Sequence, residues 1–573
     1  MFKIINQLFK IEKKRISILF LMMFIAGFLD MLSIGFLIPL LNSLFENKIE
    51  IPFITNILDN FNSDFVKEEI ISIAIMLIFI TFLIKNLFIL LYTKINTNFL
   101  VYITVKYQQI IYQKYVNRTF TEISKKTTSE YLRDILQEAR LLSVEFLAPA
   151  LNLLLNLITL IFFTSLLLFV NFKVTLILFI FSLLLFLFFS KIFKKRIDLF
   201  GEQRQKYNLR ITEFIKQSFD GIKELKINNK ENFFVEKLKL YLSRFANMGV
   251  ARSIIAVLPK VCLEVLIILM FTLIIILSIK MKLNYQNIIL ILPIYAAAAF
   301  RILPNLNSMI RCYQRMNFSK SAFTLFENLI TNKNSDQQKK IKEDFINYRI
   351  KFNKNINLQD LSFAYDKKII FENLNLKIKK NTSLGIQGDS GSGKSTFVDL
   401  ICGLNKPQKG HVLVDDLDIS NKEKEWMMNI GYVQQESFIF DDTLKNNITL
   451  ETDKSKVDTN LLNECIKTSL LTKLVENLPN GINENLGEFG SKLSGGQKQR
   501  ICIARALYKK PQILIFDESF NNLEKEKVDK ILEIIFNLKN KMTIIIISHN
   551  EKSFKYCDKI YTIYNKNIKE FNS

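Results

Sequence analysis

Residues 151–170 of this 573-residue chain read LNLLLNLITLIFFTSLLLFV, without a single charge. About 20 apolar residues is the length a helix needs to cross the hydrocarbon core of a bilayer. In that medium backbone N–H and C=O groups find no water, so an apolar run of this kind must satisfy them within its own helix. Stretches of this kind at 16–41, 70–93, 141–170, 172–192, 253–279 and 286–312 predict six spanning helices. The third and fourth meet at Asn171, which leaves almost no loop. They are too uniformly apolar for the helices of a soluble core. The first run is longer than a signal-peptide core and has no small-x-small cleavage site, so it is expected in the mature protein.

Lysine and arginine orient the spans. Lys3, Lys10, Lys13, Lys14 and Arg15 precede the first, whereas the next loop carries mostly Asp and Glu. The tail is therefore expected in the cytoplasm and that loop outside. The long connections 94–140 and 191–252 are basic and fall on the cytoplasmic side. The formal charge of +23 is spread along the chain, with no basic and aromatic groove, so nucleic acid is not an expected partner. Cysteines 262, 312, 402, 465, 502 and 557 lie in spans or in the cytoplasmic half and are expected as free thiols. The segment IPFITNILDNF, 51–61, puts Ile54, Ile57, Leu58 and Phe61 on one helical face, which suits either the outer bilayer surface or a loop packed on the span ends.

Beyond Arg315 the apolar runs shrink to strand length. The expected organisation is a membrane domain over 1–330, a polar linker over 331–349 and a soluble α/β domain over 350–573. Within the last, GDSGSGKST comprises Gly388, Asp389, Ser390, Gly391, Ser392, Gly393, Lys394, Ser395 and Thr396, between the strand-like TSLGIQ and the helix-like STFVDLICGL. Glycines let backbone N–H groups curl around phosphates, Lys394 neutralises the β- and γ-phosphates of ATP, and Ser395 reaches Mg²⁺. The partner acid ends an apolar strand: ILIFDES places Asp517 for the metal and Glu518 to orient or deprotonate water. Two adjacent carboxylates would otherwise repel. Of the chain's two histidines, His549 ends a second apolar strand, TIIIISHN, at the same expected sheet edge, whereas His411 in KGHVLVDD reads as a hairpin surface residue.

A second anion cradle, SKLSGGQKQR at Ser491–Arg500, looks surplus within one chain. Together these residues resemble the nucleotide-binding domain of the ABC transporter family, whose signature is LSGGQ, here Leu493, Ser494, Gly495, Gly496 and Gln497. The resemblance implies that Tyr365 stacks on adenine, that Gln435 touches Mg²⁺ and water, and that LGEFG contacts the membrane domain. It also implies a fold class: a six-helix exporter-type membrane domain followed by an α/β P-loop ATPase domain. In this family the LSGGQ helix holds the γ-phosphate bound to the Walker loop of another copy. A homodimer of two chains is therefore expected, with both ATP sites shared. The chain departs from the family pattern at SFNNLE, which puts Glu524 where an Asp usually couples the sites, and at Gln434 and Asn550.

Six spans before one ATPase domain resemble the exporter branch, with coupling helices expected near 121–128 and 215–226. The stretches AFRILPNLNSMIRCY and VLPKVCLE and the external segment resemble the flippase for lipid-linked oligosaccharides of bacterial protein N-glycosylation. That implies the bacterial inner membrane, with the ATPase in the cytoplasm. Counted at 1.5 Å per residue, Lys85, Lys260 and Arg301 lie roughly 22 to 29 Å below the outer surface, a shared depth where a pyrophosphate head group would enter. Pairing of Lys260 with Glu264, or snorkelling, is the plainer explanation. A lipid A or multidrug exporter would share the architecture. A peptide exporter often has a protease domain ahead of its first span, where only 15 residues stand here, and an ATP-gated regulator fits poorly with Glu518 and His549 in place.

Overall fold

The computed structural model describes residues 2–35, 67–170, 172–280, 285–331, 349–366, 368–451, 453–520, 525–537, 541–549 and 551–571. Contacts divide the chain into two units: Met1–Arg118 with Lys125–Gln338, and Thr119–Ser124 with Lys339–Ser573. The segment 51–61, Glu524 and Asn550 lie outside the described residues.

In the first unit the apolar stretches lie in long helices: α1 (Phe2–Gly35), α2 (Lys67–Val116), α3 (Ala148–Val170), α4 (Phe172–Asp220), α5 (Glu231–Lys280) and α6 (Tyr285–Phe318). Among the described residues, Glu12–Ser33, Ile75–Val116 and Thr128–Leu168 are long and apolar enough to cross a membrane. Only position 171 separates α3 from α4. The core here joins α1, α2, the approach to α3, and α6 through Leu19, Met23, Ile103, Ile111, Leu142 and Met316. A further helix, α7 (Lys320–Thr331), follows. Short helices stand at Phe120–Ile123 and Ile222–Ile227, where coupling helices are expected, and the first of them groups with the second unit.

The approach to α3 departs from a regular helix. Arg133–Glu138 and Leu142–Leu147 are π-helical, and they carry three carboxylates. Asp134, fully buried, accepts from Tyr115 Oη at 2.6 Å, Lys126 Nζ at 2.8 Å and its neighbour Arg133 at 2.7 Å. Glu138, 1% exposed, takes both terminal nitrogens of Arg204 from α4 at 3.1 Å, and Arg204 also donates to Ser321 of α7. Glu145 receives Arg252 of α5 at 2.7 Å and Arg315 of α6 at 3.1 Å. Each acid thus draws its cation from a different part of the unit. Higher up, Lys85 of α2 is buried in an ion pair with Asp30 of α1.

The second unit holds two sheets. β1 (Asn355–Tyr365), β2 (Lys368–Lys379), β4 (Lys409–Val414) and β5 (Leu417–Asp418) form one, antiparallel and in the order β2-β1-β4-β5. The other uses β3 (Ser383–Gln387), β6 (Ile430–Val433), β7 (Ile513–Asp517), β8 (Thr543–Ile547), β9 (Lys559–Tyr564) and β10 (Asn567–Glu570). Its order is β10-β9-β3-β8-β7-β6, parallel except for the β9–β10 pair. Every residue of β7 and β8 is buried, as a central parallel strand covered on both faces requires. Helices α8 (Lys394–Ile401) and α9 (Gly495–Tyr508) follow the two candidate anion loops. Trp426, the only tryptophan, is fully buried and donates its indole N–H to the Ile401 carbonyl at the end of α8.

Because Glu138 and Arg204 are both withdrawn from water, removing one strands the other. Arg204→Met alone is expected to cost roughly 3–5 kcal/mol, whereas Glu138→Leu with Arg204→Met costs far less. Thermal unfolding of the purified variants checks this; equal melting temperatures for the single variant and the parent would show that the pair contributes nothing.

Candidate active site

The carboxyl ends of β3, β6, β7 and β8 share one sheet edge, the place where open α/β sheets hold their ligands. After β3 the chain turns through Gly388 to Gly393. Gly391 and Gly393 adopt φ of 80° and 109°, a region that favours glycine, and a Cβ at Gly393 would strike Ile370 at 2.7 Å. At Gly391 the same Cβ would meet nothing within 4 Å, so its φ rather than crowding is what favours glycine there. Lys394 opens α8; its ammonium bends back to the carbonyls of Gly388 at 2.8 Å and Asp389 at 3.0 Å. Ser392 Oγ is buried without a partner. A buried cation and an orphan hydroxyl beside a glycine turn of N–H groups suit a triphosphate.

β7 delivers the acids. The Glu518 N–H continues the ladder to the Ile547 carbonyl at 2.9 Å, and its φ of 45° is a strained value for a residue with a side chain. That backbone turn aims the carboxylate at three partners. His549 Nε2, at the end of β8, lies 2.6 Å from Oε1, Gln435 Nε2 donates to Oε2 at 2.8 Å, and Lys394 Nζ stands 3.7 Å from Oε1. Asp517 accepts from the Tyr432 hydroxyl at 2.9 Å. Burial, helped by the neighbouring Glu518 charge, pushes its carboxyl above the usual range. Asp399, on α8, is pushed up to about 6 by burial and then by Asp517. Such crowded negative charge is what a divalent cation relieves. Among the described residues no cluster of three or more His, Cys, Asp or Glu could hold a metal by itself. Mg²⁺ binds through one or two carboxylates together with phosphates; Ser395, Asp517 and Gln435 are the residues that would hold it.

Lys394, Gln435, Asp517, Glu518 and His549 are thus brought together. Tyr365 stands on β1, 44% exposed, with its ring edge-on to Phe363 and its hydroxyl receiving Asn405 Nδ2 at 2.8 Å. The signature opens α9 as a capping box: Ser494 Oγ accepts from the Gln497 N–H, and Gln497 Oε1 from the Ser494 N–H at 2.7 Å. Gly495 and Gly496 then begin the helix, with the positive end of its dipole at their N–H groups. Among the described residues no hydrogen bond or ion pair joins Gly388–Thr396 to Leu493–Gln497. His411 pairs with Asp418 at 2.6 Å on the hairpin, away from these residues.

The three basic membrane residues are not alike. Lys85 is buried against Asp30, a partner not foreseen although Asp30 is a lone acid inside the first apolar stretch. Lys260 is exposed, 3.8 Å from Glu264 one turn on, which is the plainer reading made from the sequence. Arg301 lies in α6, with its side chain outside those described. Sequence reasoning also missed Tyr432, Asn405 and Asp399. For Tyr432 the signal was its place three residues before Gln435 in IGYVQQ.

Comparison with known proteins covers both units. The model of the ABC transporter transmembrane region matches residues 16–298, and that of the ABC transporter matches 371–521, together well over half the chain. ABC transporter B family member 14 of Arabidopsis thaliana is 36% identical over 216 residues, 37% of this chain and 17% of that protein. An export ATP-binding/permease protein of Rickettsia bellii is 37% identical over 212 residues, 36% of each chain. The chain therefore spans about a sixth to a third of the length of these curated relatives. A bacterial Atm1-family ABC exporter solved with ATP bound has the same fold, with a TM-score of 0.80 at 18% identity, over 97% of this chain and 94% of that one. The chain belongs to the ABC transporter family, with an exporter-type transmembrane region followed by an ATPase domain.

Proposed function

We propose that two copies of this chain form an ATP-driven exporter of the bacterial inner membrane. It moves an amphipathic anionic lipid, specifically a polyprenyl-pyrophosphate-linked oligosaccharide, from the inner to the outer leaflet. The observation that carries the ATPase is the convergence of Gln435, His549 and Lys394 on Glu518. In hydrolysis Glu518 takes a proton from the attacking water, His549 and Gln435 fix its orientation, and Lys394 turns from its loop carbonyls to the phosphates. Mg²⁺, when bound, supplies charge neutralisation across the phosphates. Gly495 and Gly496 of the second copy close the site, and this closure would drive alternating access by a population shift.

For the cargo, the supporting feature is intramembrane charge. A lysine in the bilayer interior costs roughly 2.5–3.5 kcal/mol unless matched, and residues of this kind mark substrate paths by default. Asp30 matches Lys85. A pyrophosphate would then exchange for a carboxylate, which costs less than charging a bare apolar wall. Lipid A or multidrug export uses the same architecture, since the fold does not select a cargo.

Glu518→Gln is expected to keep ATP binding and lower turnover by roughly 10²- to 10⁴-fold; unchanged steady-state hydrolysis would remove Glu518 from the catalytic step. Mixed dimers check the shared site: Ser494→Arg and Lys394→Ala on one chain, paired with an unchanged partner, damage both sites, whereas the same changes on opposite chains fall in one site and leave the other sound. Equal ATPase activity of the two arrangements contradicts sharing. Replacing Lys85, Lys260 and Arg301 by Gln, together with Asp30→Asn so that no carboxylate is stranded, should abolish flips per ATP hydrolysed for a fluorescent polyprenyl-pyrophosphate glycan in proteoliposomes. An unchanged ratio rules out the basic residues as the head-group site.

A further inference from the structure

Strand β6 and the loop after it present two donors to two adjacent acids. The Tyr432 hydroxyl meets Asp517 Oδ2 at 2.9 Å, and three residues on, the Gln435 amide meets Glu518 Oε2 at 2.8 Å. The ladder explains the first contact: Tyr432 lies opposite Ile515 in the parallel β6–β7 pair, and Asp517, two residues further, points to the same face as Ile515. The phenol therefore reaches one step along the strand. Its ring packs against the apolar core, which fixes the direction of the hydroxyl.

Asp517 is 6% exposed and has no other hydrogen bond among the described residues, so Tyr432 alone decides which oxygen is occupied. Without it a carboxylate beside Glu518 and near Asp399 would rotate away from like charge. We infer that Tyr432 is a positioning residue for the metal site: it holds Asp517 Oδ2 and so keeps Oδ1 as the oxygen offered to the cation. This rests on the reading of Asp517 as the carboxylate that serves Mg²⁺. Partners of this kind orient metal-binding carboxylates, and their loss typically weakens metal binding 10- to 100-fold.

The test uses the full-length chain in lipid nanodiscs, with Glu518→Gln to prevent turnover, ATP present, and Mn²⁺ as the probe read by electron paramagnetic resonance. Tyr432→Phe removes one oxygen and keeps the ring. It is expected to weaken Mn²⁺ binding by roughly tenfold or more, with ATP affinity in the absence of metal and the melting temperature unchanged. Tyr432→His, which restores a ring donor, should recover part of the loss. Asp517→Asn separates the two ideas. If it weakens Mn²⁺ while Tyr432→Phe does not, the positioning role is wrong; if it leaves Mn²⁺ binding unchanged, Asp517 is not the metal carboxylate and both fall.

Discussion

Two neighbouring carboxylates at the end of a fully buried strand are electrostatically untenable alone, and the ATPase unit is arranged around that fact. Asp517 and Glu518 cannot move apart, because β7 pairs on both sides, with β6 and β8. Matching groups must come to them. They arrive from each neighbouring element: Tyr432 and Gln435 from β6 and its loop, His549 from the end of β8, and Lys394 from the start of α8. A triphosphate with its cation would meet a set of side chains that already balance one another, so binding becomes an exchange of partners, which needs little new organisation.

The membrane unit follows the same logic with a different solvent. Apolar helices can pack against one another or against lipid with little preference, so apolar contact alone specifies little. Specificity comes from carboxylates that accept from chosen helices: Asp134 from α2, Glu138 from α4, and Glu145 from α5 and α6. Burial of Asp134 and Glu138 makes a wrong pairing expensive, although the pairs themselves add little to net stability.

These two halves were unequally legible in the sequence. The bilayer imposes helix on any long apolar run, and a phosphate loop needs glycines at fixed spacing, so both could be read from local pattern. The strand ends carrying Asp517 and His549 were likewise visible, because an apolar run that stops at a polar residue marks a sheet edge. Asp30 opposite Lys85, Arg204 opposite Glu138 and Tyr432 against Asp517 depend on which elements become neighbours, which no single stretch records. Lys260 is a mixed case: counting residues gave its depth and the i, i+4 spacing gave Glu264, whereas its exposed side comes only from the packing.

The π-helical turns before α3 have a consequence for chain length. Each such turn accommodates one residue more than an α-turn would. Arg133–Glu138 and Leu142–Leu147 hold one extra residue each, so a single deletion relaxes only one of them and a regular α-helix throughout would need two. Glu145 lies inside the second turn, so its aim at Arg252 and Arg315 depends on that extra residue, whereas the apolar character of α3 does not. The residue count of this stretch is therefore itself a structural specification, one that hydropathy cannot reveal and that a substitution scan would pass over.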